Sequence, residues 1–348
     1  MPPVIDPAAA LLAFAALSLG VAALWWPRSG IIARVQRILR LTERVRTEDA
    51  VKYLYHAGSD GSAVRAEALA GALALRPARA RELLTTLVAR GLVTTVGVGF
   101  ALTEPGRRDA LRLVRAHRLL ERYLADHTGV APTEWHELAE DAEHDLTADE
   151  AEALAARLGN PRFDPHGDPI PTADGELPSA PVILLDDLRL HEPGTIVHIE
   201  DEPPEAFATL QQVGVVLGGT VVVRARDPQQ VEMEIDGRPL RLPRLLESAV
   251  SVRRSVAIPT GAVRTLASLQ PAESARVARV ALACSGAQRR RLLDLGVVPG
   301  TRITAVLRSA GGDPVAYDVR GALIALRRQQ AEWIEVVADA AQANERSA

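Results

Sequence analysis

Two stretches of this sequence carry side chains whose types and spacing could hold an ion. In "RAHRLLERYL", residues 115–124, His117 and Glu121 stand four apart and so share one face of a helix. In "WHELAEDAEH", residues 135–144, His136, Glu140, Glu143 and His144 fall within an arc of roughly 100° at helical spacing. Trp135, Leu138, Ala139, Ala142 and Leu146 gather on the opposite side. Taken alone, the polar stripe reads either as a solvated face or as a metal site. Its makeup is imidazole and carboxylate, without the lysines of an ordinary exposed face. A second His–Glu pair on a nearby helix shifts the balance towards metal. Asp49, on an earlier helix, adds a further group. Oxygen and imidazole donors without a thiolate favour Mn2+ or Fe2+ over Cu(I) or structural Zn2+.

Those ligands need helices to carry them, and the pattern from Thr47 to about Leu158 is densely helical. Residues 47–104 read as a winged helix-turn-helix. "TEDAVKYLYHAG" is an amphipathic first helix. "RAEALAGALAL" (65–75) and "RPARARELLTTLVARGLV" (76–93) are two helices joined by a tight turn, with Pro77 near the start of the second, where a missing N–H costs nothing. "VTTVGVGFALTEPG" supplies strand, turn and strand, the wing. Arg76, Arg79 and Arg81 sit at the start of the second helix. Segment 65–90 holds five arginines against two glutamates, so it is locally basic. Arginine reaches both phosphates and guanine edges, so these three are the candidate DNA contacts. A three-helix unit used for protein contacts is the rival reading.

Composition narrows the rest. The 348 residues suffice for several domains, and a net charge of −4 excludes a globally basic nucleic-acid binder. Lys52 is the only lysine, and Cys284 the only cysteine, which excludes a disulfide framework and a cysteine zinc site. No nucleophile elbow, phosphate-binding glycine loop or paired catalytic motif is present, so the chain does not read as an enzyme. Ala8 to Trp26 is a run of nineteen uncharged residues followed by Arg28, Arg34, Arg37 and Arg40. Its length and flanking charge predict a single-pass anchor in the inner (cytoplasmic) membrane, with everything downstream in the cytoplasm.

Beyond the Pro- and Gly-rich stretch 160–181, an irregular linker by composition, the pattern changes to short alternating strands. "QQVGVVLGGTVVV" (211–223) matches "LLDLGVVPGTRITAV" (292–306), and the flanking segments match as well. A period near 80 residues predicts a duplicated small β domain. His166 reads as a turn residue of the linker, His191 and His198 as strand or turn residues without a partner pattern, and Cys284 as a buried or idle thiol.

Segment 47–178 resembles the DtxR/MntR family of metal-dependent transcriptional repressors. The likeness runs through H-R-L-L-E (117–121), E-x-x-E-H (140–144) and H-G-D-P-I-P (166–171) in order. It implies a winged helix-turn-helix followed by a helical dimerisation domain, with metals at their junction. By position it implies one metal site at Asp49, Glu140, Glu143 and His144 and another at His117, Glu121 and His136. Glu140 stands where iron-type members have cysteine, which leans to manganese. Two positions depart from the pattern: Lys52 replaces a glutamate, and Asp168 an asparagine. The two β units resemble FeoA-like SH3-type barrels, the second more closely than the first. In the family such a barrel can lend metal ligands, and here Glu202 and Glu205 of "EDEPPEAF" are the candidates.

The expected architecture is therefore a multidomain α+β chain. It comprises a transmembrane anchor (1–30), a winged helix-turn-helix (31–110), a helical metal and dimerisation domain (111–178), two FeoA-like barrels (183–254 and 262–338) and a tail (339–348). The expected function is a membrane-tethered, Mn2+- or Fe2+-dependent repressor of metal-uptake genes, a homodimer on a double-stranded operator. The alternative is a membrane-bound adaptor of a ferrous-iron transporter.

Overall fold

The computed structural model describes residues 43–58, 61–178, 181–255 and 261–339. The chain divides into two compact units, Met1–Leu113 and Val114–Ala348.

In the first unit, α1 (Glu43–Ala57), α2 (Ala66–Ala72) and α3 (Pro77–Ala89) close over Val51, Leu54, Leu69, Leu84 and Leu87. Arg76 is extended and Pro77 takes the first helical position of α3, its fixed φ suiting the helix. Strands β1 (Val93–Val96) and β2 (Gly99–Leu102) pair antiparallel, with Val96 opposite Gly99 and Val98 exposed at the tip. This is a helix-turn-helix with a two-stranded wing. Helix α4 (Glu104–His127) follows; its 24 residues span about 36 Å at 1.5 Å each. Gly106 lets its first turn press on the wing's base, because a Cβ there would lie 2.0 Å from the Leu92 carbonyl oxygen.

The second unit begins within α4. Helix α5 (Trp135–Ala142) does not run on through the polar stripe: Glu143–Asp145 wind as a 3-10 turn. Helix α6 (Ala148–Arg157) is closed at its start by a Thr147–Glu150 capping box. Leu119, Ala151, Leu154 and Ile170 form the helical core.

The Pro- and Gly-rich stretch is no loose linker. Arg115, Arg118 and Arg122, spaced along one face of α4, donate to the carbonyls of Pro171 (2.6 Å), Pro169 (2.6 Å) and Phe163 (2.9 Å). Asp164 Oδ1 accepts the backbone N–H groups of His166 (2.8 Å), Gly167 (2.8 Å) and Asp168 (2.9 Å), which folds the strap into a tight turn. Gly167 is required there. Its φ is +100°, and a Cβ would meet the Val197 carbonyl oxygen at 2.0 Å.

The two β units share one topology. The first comprises β3 (Ile183–Leu184), β4 (Pro193–Ile199), β5 (Thr220–Arg226), β6 (Gln230–Ile235), β7 (Arg238–Pro243) and β8 (Val250–Arg254), with α7 (Pro204–Val213) after β4. The second repeats it with β9 (Arg264–Thr265), β10 (Ser274–Val280), β11 (Arg302–Arg308), β12 (Val315–Val319), β13 (Ala322–Leu326) and β14 (Ile334–Ala338). Helix α8 (Gly286–Asp294) follows β10, and α9 (Arg328–Glu332) precedes β14. Strand orders are β3-β8-β4-β5-β6-β7 and β9-β14-β10-β11-β12-β13. Bulges recur at matching places, between Ile196 and His198 and between Val277 and Arg279. Each copy folds around its own apolar cluster.

No helix among the described residues is long and apolar enough to cross a membrane. The run Ala8–Trp26, on which the anchor expectation rests, lies outside the described residues, as does most of the tail.

Candidate metal centre

Helix α4 presents His117 and Glu121 on one face, and α5 lays His136 against them. His117 Nε2 lies 3.1 Å from Glu121 Oε1 and 3.3 Å from His136 Nδ1, and His136 Nδ1 lies 3.3 Å from Glu121 Oε1. The loop after β4 adds Asp201, whose Oδ2 is 3.2 Å from His136 Nδ1, and Glu202, 3.4 Å from His136 Nε2. The strap brings His166, buried, with Nδ1 3.4 Å from Asp201 Oδ2 and 4.0 Å from Glu121 Oε1. Donors bound at right angles around an ion, each about 2.1 Å from it, stand about 3.0 Å apart. The mutual spacings of His117, Glu121 and His136 fit that test, Asp201 approaching them only through His136, and the donor set is the oxygen–imidazole mixture that suits Mn2+ or Fe2+.

The charges fit as well. Burial works to raise Glu121, but hydrogen bonds from His117 and His136 outweigh it and hold the carboxyl well below its usual range. His136 is pushed up to about 11, first by its bond to Asp201 and then by Glu121. An imidazolium lying among carboxylates is a proton standing where a cation would be favoured. Burial lowers His166, which keeps its imidazole neutral.

Glu143 is fully buried, and its Oε2 lies 2.6 Å from His117 Nδ1. It therefore orients a ligand imidazole in the way carboxylates behind metal-bound histidines do. Its other oxygen lies 3.9 Å from Nε2 of half-buried His144. Glu140 is exposed and joins none of the ligand clusters formed by the described residues. The stripe drawn at 100° per residue thus splits. The 3-10 turn winds more tightly, near 120° per residue, and carries Glu143 inwards while Glu140 stays out.

Asp49 and Lys52 are half-buried on α1 of the first unit. There Arg76 and Arg81 are exposed at the start of α3, but Arg79 is held by Glu43 (2.5 Å) and Glu82 (2.7 Å) and carries its own counter-charge.

Sequence reasoning missed Asp201 and His166. It took Glu202 and Glu205 as barrel donors, and Glu205 is exposed on the first turn of α7. His198, read as unpartnered, lies 3.4 Å from Asp168, the residue that departs from the family pattern. The signals available were the acidic run 200–202 and the histidine of H-G-D-P-I-P.

Residues 103–172 match the family model of the iron-dependent repressor metal binding and dimerisation domain, and residues 264–338 that of the FeoA domain. The chain is 30% identical over 167 residues to the iron-dependent repressor IdeR of Mycobacterium leprae (strain TN), spanning 44% of this chain and 72% of that protein. It is 40% identical over 85 residues to a probable metal transport system membrane protein of Chlamydia trachomatis serovar D, covering 24% of this chain. The match spans 19% of that protein's own length. Among solved structures, a manganese-dependent transcriptional repressor in complex with manganese superposes with a TM-score of 0.57 at 32% identity, over 60% of this chain and all of the other. ScaR with bound Zn2+ superposes with a TM-score of 0.52 at 25% identity, over 60% and 99% of the two chains.

The expected placement as a single-pass inner-membrane protein is corrected by these findings. The IdeR relatives and the superposed structures are repressors by name, and no helix among the described residues could cross a membrane. Repressors of this kind are not enzymes, as the sequence had suggested.

Proposed function

This chain belongs to the DtxR/IdeR family of metal-dependent transcriptional repressors, and from that premise we propose that it represses metal-uptake genes in response to Mn2+ or Fe2+. It acts as a homodimer on a double-stranded operator. The observation that carries the reading is the convergence of His117, Glu121 and His136, with donor atoms 3.1–3.3 Å apart, and Asp201 beside His136 at 3.2 Å. A bound ion would supply positive charge among these donors, tying α4 and α5 to the loop after β4. Glu143 orients His117 from behind, and the family resemblance adds Asp49, Glu140 and His144 as candidates for the second ligand set.

The divisions 31–110, 111–178, 183–254 and 262–338 then carry DNA contact, metal binding with dimerisation, and the two FeoA-like barrels. Metal would bias the relative setting of two recognition helices towards operator spacing, a shift between existing states. Arg76 and Arg81 make the DNA contacts, with Arg79 contributing less. The family match favours this reading over an adaptor of a transporter.

The test is a gel shift of the protein against its own upstream DNA, with and without Mn2+ and Fe2+, alongside sedimentation to read the oligomeric state. Metal-dependent binding that His117→Ala abolishes is the expected result. Equal operator affinity with and without metal would overturn the proposal.

A further inference from the structure

Next to the metal cluster, but opening on the other side of His166, lies a cavity of about 280 Å3. Trp135, Ile199, Phe207, Leu282 and Leu293 give it apolar walls, and no Asp or Glu lines it. A buried guanidinium and a buried imidazole are among the side chains that do. Arg289, on α8, is 6% exposed. Its Nε donates to the Leu217 carbonyl (2.8 Å) and its Nη1 to the Val280 carbonyl (3.0 Å), while Nη2 has no hydrogen-bond partner among the described residues. Among the described residues no carboxylate forms an ion pair with this guanidinium; Asp236 is felt only at a distance, and burial lowers the pKa of Arg289. His166, 1% exposed, turns Nδ1 to Asp201 and Glu121, so Nε2 lies on the opposite ring edge, where it too has no partner among the described residues. Its ring is set by edge contact with Phe207 at 4.9 Å. Ser285 and Gly286 also line the cavity at the start of α8, and Ser285 offers no side-chain cap to that helix.

A buried guanidinium without a counter-charge is among the costliest arrangements a fold can hold. Its unused donor, an uncapped helix start and an imidazole edge surround apolar walls. Such a lining matches a ligand with one anionic end and an apolar body. The volume equals that of about nine waters at ~30 Å3 each, which limits the ligand to roughly ten heavy atoms. We propose that this cavity binds a small organic monocarboxylate, its carboxylate on Arg289 Nη2 and its aliphatic or aromatic body against Trp135, Phe207 and Leu282. The site goes beyond the metal-responsive reading and does not require it.

The experiment is calorimetric titration of the full chain with benzoate and octanoate, each against metal-free and Mn2+-loaded protein. Benzyl alcohol serves as the uncharged probe and inorganic phosphate as the anion without an apolar body. One carboxylate should bind per chain. Benzyl alcohol should bind about tenfold more weakly or worse, since it lacks a charge-assisted bond, and phosphate should not compete. Leu282→Trp should fill the cavity and abolish binding with melting temperature and Mn2+ affinity unchanged. Arg289→Gln should weaken carboxylates about tenfold while leaving benzyl alcohol unaffected. Should that variant fail to fold, the Leu282→Trp comparison stands by itself. Benzyl alcohol binding as tightly as benzoate, carboxylates binding Leu282→Trp like the wild type, or no heat with either carboxylate would each overturn the proposal. Mn2+ binding is read separately in every arm, so failure of the carboxylate site and failure of the metal reading remain distinct.

Discussion

Replacing Asp126 by asparagine should unfold the second unit far more readily than its position at the end of α4 suggests. Asp126 Oδ1 accepts from Arg290 Nε at 2.8 Å, with Nη2 of the same residue also bonded to it, and Oδ2 accepts from Arg122 Nε at 2.6 Å. Arg122 Nη2 reaches Asp294 at 2.7 Å, so two arginines and two aspartates tie α4 to α8. All four side chains are one-fifth exposed or less. Burial raises Asp294 and lowers Arg290, whereas Asp126 is held below its usual range because its two guanidinium partners outweigh its burial. Asp126 is therefore the group on which the network's balance depends. Asparagine keeps the shape but removes the charge and leaves two guanidiniums sharing one carboxylate. Removing one partner of a buried pair costs about 3–5 kcal/mol. At roughly 2–4 °C per kcal/mol for a unit of this size, scanning calorimetry should show its melting transition fall by roughly 6–20 °C. Asp126→Leu combined with Arg290→Met should recover most of the loss, because the second charge leaves with the first. A single-variant loss below about 1 kcal/mol would mean the network behaves like exposed ion pairs, and the reasoning would be wrong.

Mn2+ at a hundredfold excess over its Kd should stabilise the wild type by about 2.7 kcal/mol. Glu121→Gln should lose that gain; an undiminished shift would place the metal elsewhere. Arg76→Ala and Arg81→Ala should each lower the slope of log operator affinity against log salt by about 0.9, and Arg79→Ala by less, because Glu43 and Glu82 already neutralise it. Equal slopes for all three variants would refute that distinction. The folded pKa of Asp126 is depressed, so its contribution is present above its ordinary value of 3.8 and is lost as pH falls below that towards the folded value. Acid titration of wild type against Asp126→Asn should show their stability difference shrinking below about pH 4; a difference constant to pH 2 would contradict the assignment. Gly167→Ala, forced to a φ of +100° and into the Val197 carbonyl, should cost about 1–3 kcal/mol, measured by urea unfolding.

What the sequence could reveal was whatever repeats at short range. His117 and Glu121 share a helix face because four residues make a turn. The wing is announced by Val93–Leu102, and the two β copies by matching G-V-V segments whose strands prove to be ordered alike. What it could not reveal depends on chain segments meeting. His166 comes near Glu121 on a strap clamped to α4 by Arg115, Arg118 and Arg122, and Asp201 meets His136 from the loop after β4; the clamping bonds go to backbone carbonyls and leave no trace in composition. Glu140 and Glu143 look equivalent on a helical wheel. They part because the helix tightens after Ala142, a change no residue in that stretch advertises.

The paired β units amount to one architectural problem answered twice within a single chain. In the first copy Arg226 Nη2 donates to the carbonyls of Leu185 and Leu188, both at 2.9 Å, and its Nε reaches buried Glu247 at 2.5 Å. In the second copy Arg308 donates to Leu269 at 3.1 Å, but buried Ala331 stands in the position of Glu247. Tyr317 replaces Met233 on the matching strand, and its hydroxyl donates to the Leu266 carbonyl at 3.3 Å. The tyrosine covers a carbonyl that the first copy's arginine covers, and Arg308 is left with a buried Nε that has no hydrogen-bond partner among the described residues. Single exchanges between the copies should therefore be poorly tolerated. Glu247→Ala strands a guanidinium, and Ala331→Glu adds a carboxylate to a space already shared with a phenol ring. Ala331→Glu with Tyr317→Met together transplants the first copy's arrangement into the second. Divergence after such a duplication has to proceed in linked steps, with each copy recording which partner moved along with which.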